Sequence, residues 1–439
     1  METNGASEAE GGGRRGDRGG RVTQAPRTVL YVQHAGTPGG SAMSLLYTMQ
    51  GLDAARYRPV VALARPAEAL VRLYEDAGIR TVPWTGIHPW DHSTVAPKPL
   101  HRPGTWMHLA DVASHWRSSQ RRTLELVDHV APDLVHLNSM PLSPCAEALT
   151  RAGVPTVWHV REPPSPARGP RWKLIRDRMM QVDELVFISQ ADRQAWVRGE
   201  RGVVIPNFVD FGRFDASLDG GPVRARLGID PDAPVLLYLG GWAPVKGIFV
   251  LLRALSLLRA RFPGLRCVMP GSIYPQSTSL PARAARAVLP LVGSGTLSQQ
   301  VRGEIDRLGV DGVLVPLPFV PDVAPLFAAS DVVVFPATQP HFARPAVEAS
   351  AMGVPTVASR LAGLDELVDD GQTGLLVPAG DPAALADALG RVLGDEALRR
   401  RMGQAGMRAA RERYAVGPAM QRIMSVYDRV LSARGGGAA

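Results

Sequence analysis

A repeated alternation constrains this chain more than any other feature. Short apolar runs rich in β-branched residues are separated by segments with apolar residues at helical spacing, and the pattern occurs twice. In the first half the runs are "TVLYVQ" (28–33), "PVVAL", "RTVPW", "DLVHL", "VPTVWH", "ELVFIS" and "GVVIP". Runs of this kind are the buried strands of a parallel sheet. Helical segments such as "SAMSLLYTMQGL", "PAEALVRLYEDAG" and "SPCAEALTRAG" lie between many of them. Near residue 210 the pattern restarts with "APVLLYLGG", then "RCVMPG", "GVLVPLPF", "DVVVFPA", "VPTVAS" and "TGLLVPAG". Strand–helix alternation predicts doubly wound parallel sheets, and 439 residues are too many for one core. The expectation is α/β: two tandem Rossmann-like domains, 28–208 and 209–412, joined near "NFVDFGRF" (207–214). A tail, 1–27, precedes them, and a last helix, 413–434, is expected to pack back on the first domain.

Composition narrows the function classes. The two cysteines, Cys145 and Cys267, lie far apart in sequence, against a disulfide framework or a cysteine zinc site. They fit a reducing, cytoplasmic setting. No apolar run approaches the roughly 18 residues of a membrane span, and the first residues lack the apolar stretch of a signal peptide. The Gly-, Arg- and Glu-rich tail reads as disordered. The formal charge of +8 sits almost wholly on the body. A basic body suits an anionic ligand or peripheral contact with the inner face of a membrane. Abundant arginine explains it equally well. Basic runs interleaved with aromatics are missing, so nucleic acid is not favoured.

Doubly wound domains place ligand sites at the C-terminal ends of their strands, and a cleft between two such domains is the natural active site. The glycine pair Gly39–Gly40 follows the first strand, where it would let backbone approach a ligand or simply make a turn. Lysine occurs at Lys98, Lys173 and Lys246 alone, and Lys246 follows the first strand of the second half in "GGWAPVKG". Pro345 and Gly353 bracket an expected helix over 345–352. Its N-terminus, with backbone N–H groups around Phe342 to Ala346, forms an anion site. Glu348, placed in its first turn, either complements the helix dipole or holds a ligand; the residues alone leave both open. "DPD" (230–232) has the form of a metal-binding motif but precedes a strand, where a turn is the simpler reading.

Taken in order, "GTPGGSAMS", "VWHVREPP", "VFISQADR", "VIPNFVD", "YLGGWAPVKG", "DVVVFPATQPHFARPAVEASAMGVPTVAS" and "DGQTGLLVPAGDPAALADAL" resemble the retaining glycosyltransferases of the family 4 type, which have the GT-B fold. The resemblance covers most of 28–430. It implies a hexosyl transfer from a nucleotide sugar, bound by the C-terminal domain, to a hydroxyl acceptor bound by the N-terminal one. It implies no metal and no further cofactor. By the same resemblance Glu348 holds the ribose hydroxyls. Gly39, Gly40, Lys246, Phe342, Ala343 and Arg344 surround the donor. Lys246, His159 and Arg344 are the catalytic candidates. Glu162, His88 and Trp90 are weaker acceptor candidates, the last two within a long stretch (88–120) that reads equally as an acceptor loop or as an ordinary surface loop. The chain departs from the family at Pro340, where a glutamate is usual, at Ala343, usually glycine, and at Gly241, usually arginine. Arg344 is the candidate replacement for that arginine. An epimerase or phosphorylase on the same scaffold, or a catalytically weak sugar-nucleotide-binding protein, remains the alternative.

Overall fold

The computed structural model describes residues 25–89, 103–164, 170–272 and 297–435. All thirteen apolar runs are strands. Seven form the first sheet: β1 (Arg27–Gln33), β2 (Tyr57–Leu63), β3 (Arg80–Pro83), β4 (Leu134–Asn138), β5 (Thr156–Val160), β6 (Glu184–Phe187) and β7 (Val203–Val204). Six form the second: β8 (Val235–Leu237), β9 (Arg266–Met269), β10 (Leu314–Pro316), β11 (Val332–Phe335), β12 (Thr356–Ser359) and β13 (Gly374–Val377). The orders are β3-β2-β1-β4-β5-β6-β7 and β10-β9-β8-β11-β12-β13, and every pairing is parallel. Both orders reverse once, between β1 and β4 and between β8 and β11. The loops that leave those strands diverge there and open a crevice at each switch point.

Each sheet is covered on both faces. Val29, Tyr31 and Val61 face the C-terminal helix Val416–Gly435, which sets Met420, Ile423, Val426 and Tyr427 against them. Charged pairs fasten its edges: Arg56 with Asp428 at 2.6 Å and Arg434 with Asp183 at 2.7 Å. So the end of the chain crosses from the second domain to the first. The connector is not a bare linker. Val209 and Phe214 are buried in a core shared with Phe335 and Val347 of the second sheet, and Val209 N–H donates to Tyr414 O at 3.0 Å. Farther out, Glu366 accepts from the backbone N–H groups of Gln190 at 2.9 Å and Ala191 at 2.7 Å, holding the two domains together at a helix start.

Two expectations need correction. The stretch 88–120 is not one loop, because the helix Pro103–Val130 takes in everything from 103 onward. Its 28 residues carry few breakers after Gly104, which is the physical reason it runs so long. Trp90 lies outside the described residues. The expected helix over 345–352 is Arg344–Ala351, with Pro345 second. Glu348 is therefore its fifth residue, in the second turn, and no acidic residue occupies the first. A dipole role, which falls off within the first turn, does not fit it. Gly353 does end the helix in the left-handed region, at φ 71°.

Candidate active site

The site is built where the two switch points face each other. After β11, the loop 336–343 leads into the helix Arg344–Ala351, whose N-cap residue, Ala343, offers no capping side chain. Phe342 and Ala343 are buried, and they seat this turn in the second domain's core. On the helix, Arg344 Nε donates to Glu348 Oε1 at 2.6 Å. Both side chains are nearly sealed from solvent. Burial pushes the Glu348 pKa up, and the Arg344 charge pulls it in the opposite direction. The other arm of Arg344 crosses the cleft: Nη1 donates to Ser44 Oγ at 2.8 Å, and the guanidinium lies 4.7 Å from the centre of the Tyr47 ring. Arg213 also donates to the Tyr47 hydroxyl. Ser44 and Tyr47 belong to the helix Gly40–Gln50, which follows β1.

After β8 the chain makes a short 3-10 turn, Pro244–Lys246, and then the helix Ile248–Leu258. Gly247 joins them at φ 84°, with Pro336 O only 1.7 Å from where a Cβ would stand. Any other residue would drive the loops after β8 and β11 apart. Lys246 is half-buried, and burial lowers its pKa. Its charge, after burial itself, helps push the pKa of His341 down to about 4. Gly241 stands at φ 58°, so the backbone at the position of the usual arginine is one that a side chain rarely adopts. "DPD" is a turn: Asp232 N–H donates to Asp230 Oδ1 at 2.9 Å. Among the described residues no group of three or more His, Cys, Asp or Glu side chains is placed to hold a metal ion.

On the first domain's side, Gly39 caps the helix Gly40–Gln50 and Gly40 begins it. Gly39 is extended rather than left-handed, and both positions open onto free space, so backbone is accessible there. His159, on β5, is buried. Burial first, then the Arg161 charge, hold its pKa well below the usual value. Glu162 is committed elsewhere. It accepts from Ser139 Oγ and, at 3.1 Å, from Met140 N–H. That bracing keeps Ser139 at φ 94°, an uncommon conformation for a side-chain-bearing residue. His88 is exposed and stacked on His115 at 3.9 Å between ring centres.

The structure thus brings Arg344, His159 and the helix after β1 to one cavity, lined by Ser44, Thr48, His159, Arg161, Asn207 and Arg344 among others. Arg161, Asn138 and Asn207 form a group that sequence reasoning missed. Arg161 follows His159 by two residues, but its other partners come from β4 and the connector. Only the fold reveals them.

Two facing parallel α/β domains with charged groups at both switch points define a GT-B scaffold. A crystal structure of HepE from Anabaena in complex with UDP and glucose superposes with a TM-score of 0.73 at 22% identity, covering 92% of this chain and all of that one (100%). Sucrose-phosphate synthase from Thermosynechococcus elongatus gives a TM-score of 0.70 at 17% identity, covering 93% and 100%. The family model described as Glycosyltransferase Family 4 matches residues 38–213, and that described as Glycosyl transferases group 1 matches 222–409. The two matches lie on either side of a short gap just after the connector and together span both domains, and the chain belongs to the family 4 type of GT-B glycosyltransferases. Among curated relatives, a D-inositol 3-phosphate glycosyltransferase of Streptomyces avermitilis is 35% identical over 245 residues, covering 54% of this chain and 48% of the relative. One from Actinosynnema mirum is 32% identical over 308 residues, covering 66% and 65%. The chain matches about half the length of the first of these relatives.

Proposed function

We propose that this protein transfers a sugar from a nucleotide sugar to a hydroxyl acceptor, with retention at the anomeric carbon. The observation that carries the proposal is Arg344. It stands at the start of the helix after β11, binds Glu348, and reaches Ser44 on the helix after β1. A diphosphate between those helices would meet Lys246, the guanidinium of Arg344, and the unpaired N–H groups of a helix N-terminus. These groups stabilise the negative charge that grows on the diphosphate as the sugar departs.

Glu348 has a second partner available in this scheme. The ribose hydroxyls of the donor take its carboxylate, and Arg344, released from it, turns to the phosphates. One exchange would seat the nucleoside and arm the leaving-group site together. The acceptor enters from the first domain's side and attacks the face the diphosphate leaves. A donor phosphate oxygen takes its proton, so no enzyme nucleophile is needed. The neighbour crystallised with UDP-glucose makes UDP-sugars the first donors to try. The relatives' name makes a phosphorylated polyol the first acceptor.

A thermal-shift screen against nucleoside diphosphates and nucleotide sugars tests the donor half. Ligand at 100 times its Kd should add about 2.7 kcal/mol of stability. Product analysis with and without acceptor tests the rest. Conversion of the sugar nucleotide without acceptor would make the enzyme an epimerase, and tight binding with no product over a broad acceptor panel would make it a binding protein.

A further inference from the structure

Arg161 has an unusual set of partners for a guanidinium in a protein interior. Its Nε donates to Asn138 Oδ1 at 2.6 Å, its Nη1 to Asn207 Oδ1 at 2.9 Å, and its Nη2 stands 3.3 Å from His159 Nδ1. All three partners are neutral. The neighbouring carboxylate, Glu162, is taken by Ser139 and Met140. A guanidinium has five N–H donors and no acceptor, and it does not deprotonate near neutral pH. Nδ1 of His159 must therefore be the acceptor. A neutral imidazole with an accepting Nδ1 carries its proton on Nε2.

We propose that Arg161 is a positioning residue that fixes His159 as an Nε2–H donor toward the interdomain cavity, and ties that donor to the connector through Asn207. Nε2 of His159 is buried with no partner among the described residues, and so is Nη2 of Arg344. Both residues line the same cavity. Two unmet buried donors from opposite domains call for an acceptor atom between them, because a buried donor without a partner keeps the full cost of its lost hydration. In the proposed transfer that atom is an oxygen of the donor's sugar or phosphate. His159 is then a donor to the substrate and not a base that takes the acceptor's proton. The charged and titratable groups facing its ring are Arg161 on its own segment, His136 on β4 and Arg344 across the cavity. His136 is itself neutral, with Nδ1 2.7 Å from the Tyr427 hydroxyl and its pKa pushed down to about 3 by burial.

This inference rests on the proposed transfer only for what the donor meets; the tautomer is testable without substrate. The full chain, labelled with 15N in its histidine rings, is examined at pH 7 with no ligand, and the His159 signals are identified by their loss in His159→Asn. A pyrrole-like Nε2 and a pyridine-like Nδ1 are expected. A protonated Nδ1, alone or in a doubly protonated ring, overturns the proposal. In Arg161→Met the ring loses its donor at Nδ1, and a fraction of the Nδ1–H form should appear. An unchanged tautomer in folded Arg161→Met also overturns it. The wild-type spectrum decides the question even where that variant does not fold. None of these outcomes depends on turnover, so failure of the transferase reading would leave them standing and their failure would leave that reading standing.

Discussion

On the C-terminal wall of the cleft a buried carboxylate and a guanidinium meet at 2.6 Å, Glu348 with Arg344. On the N-terminal wall the partners are mismatched. The guanidinium of Arg161 has two amides and an imidazole. The buried carboxylate of Asp192, at a helix start nearby, leaves Oδ2 without a partner among the described residues. One wall holds an ion pair; the other holds single groups oriented by neutral neighbours. An ion pair suits a ligand that brings its own hydroxyls and phosphates, since neither charge need be left bare at any stage. Groups held by neutral partners keep their orientation whatever occupies the cleft.

The largest effect that would break this comparison is on the pair. Arg344→Met should destabilise the protein by about 3–5 kcal/mol at pH 8, the cost of stranding one member of a buried ion pair. The sign with pH follows from Glu348. Its folded pKa is raised above the unfolded value, so its contribution is present below the unfolded value and is lost as pH rises through the folded one. Removing Arg344 takes away the charge that holds the folded value down. The deficit in urea unfolding should therefore be large at pH 8 and shrink toward pH 4. An equal deficit at both would show that Arg344 acts through packing on Tyr47 and Ser44 alone.

Next is Lys246→Ala, with kcat reduced roughly 10²–10³-fold in steady-state transfer assays, the scale of losing one preorganised electrostatic contact. Lys246→Arg should recover part of it, because a planar fork does not replace a compact ammonium. Normal turnover in the alanine variant would remove Lys246 from the leaving-group site.

Asp192→Asn should give the smallest of these changes, and an opposite one. Burial pushes the Asp192 pKa up to about 7. Its contribution is thus fully present below the unfolded carboxylate pKa and is lost as pH rises through about 7. Replacing it with an amide should raise stability at pH 8 by about 1–3 kcal/mol and leave it unchanged at pH 4. Destabilisation at pH 8 would reveal a partner for the charged form.

The contrast between the walls also explains what was legible in the sequence. All thirteen strands were, because a buried parallel strand needs an unbroken apolar run and each run here is bounded by glycine, proline or a polar turn. Glu348, Lys246 and Arg344 could be singled out because each lies within a few residues of the start of a helix that follows a strand. The Arg344–Glu348 pair is itself a local i, i+4 spacing. Its reach to Ser44, 300 residues away, was not. On the N-terminal wall little was local. Asn138 is 23 residues from Arg161 and Asn207 is 46, while the Tyr427 hydroxyl against His136 comes from 291 residues later. Partners so distant carry no periodicity, and only the register of β1, β4 and β5 with the returning C-terminal helix brings them together. Glu348 falls in the second turn rather than the first for a smaller reason: the helix starts at Arg344, one residue before Pro345.

Calorimetry of UDP binding to wild type and to Glu348→Gln tests the central claim, that the nucleotide takes Glu348 from Arg344. The account predicts measurable binding to wild type and a loss of about 1.5–3 kcal/mol in the variant, the worth of hydrogen bonds to a charged group, with the unliganded fold retained. Equal affinity in the two proteins would contradict it and return Glu348 to the status of a structural partner for Arg344.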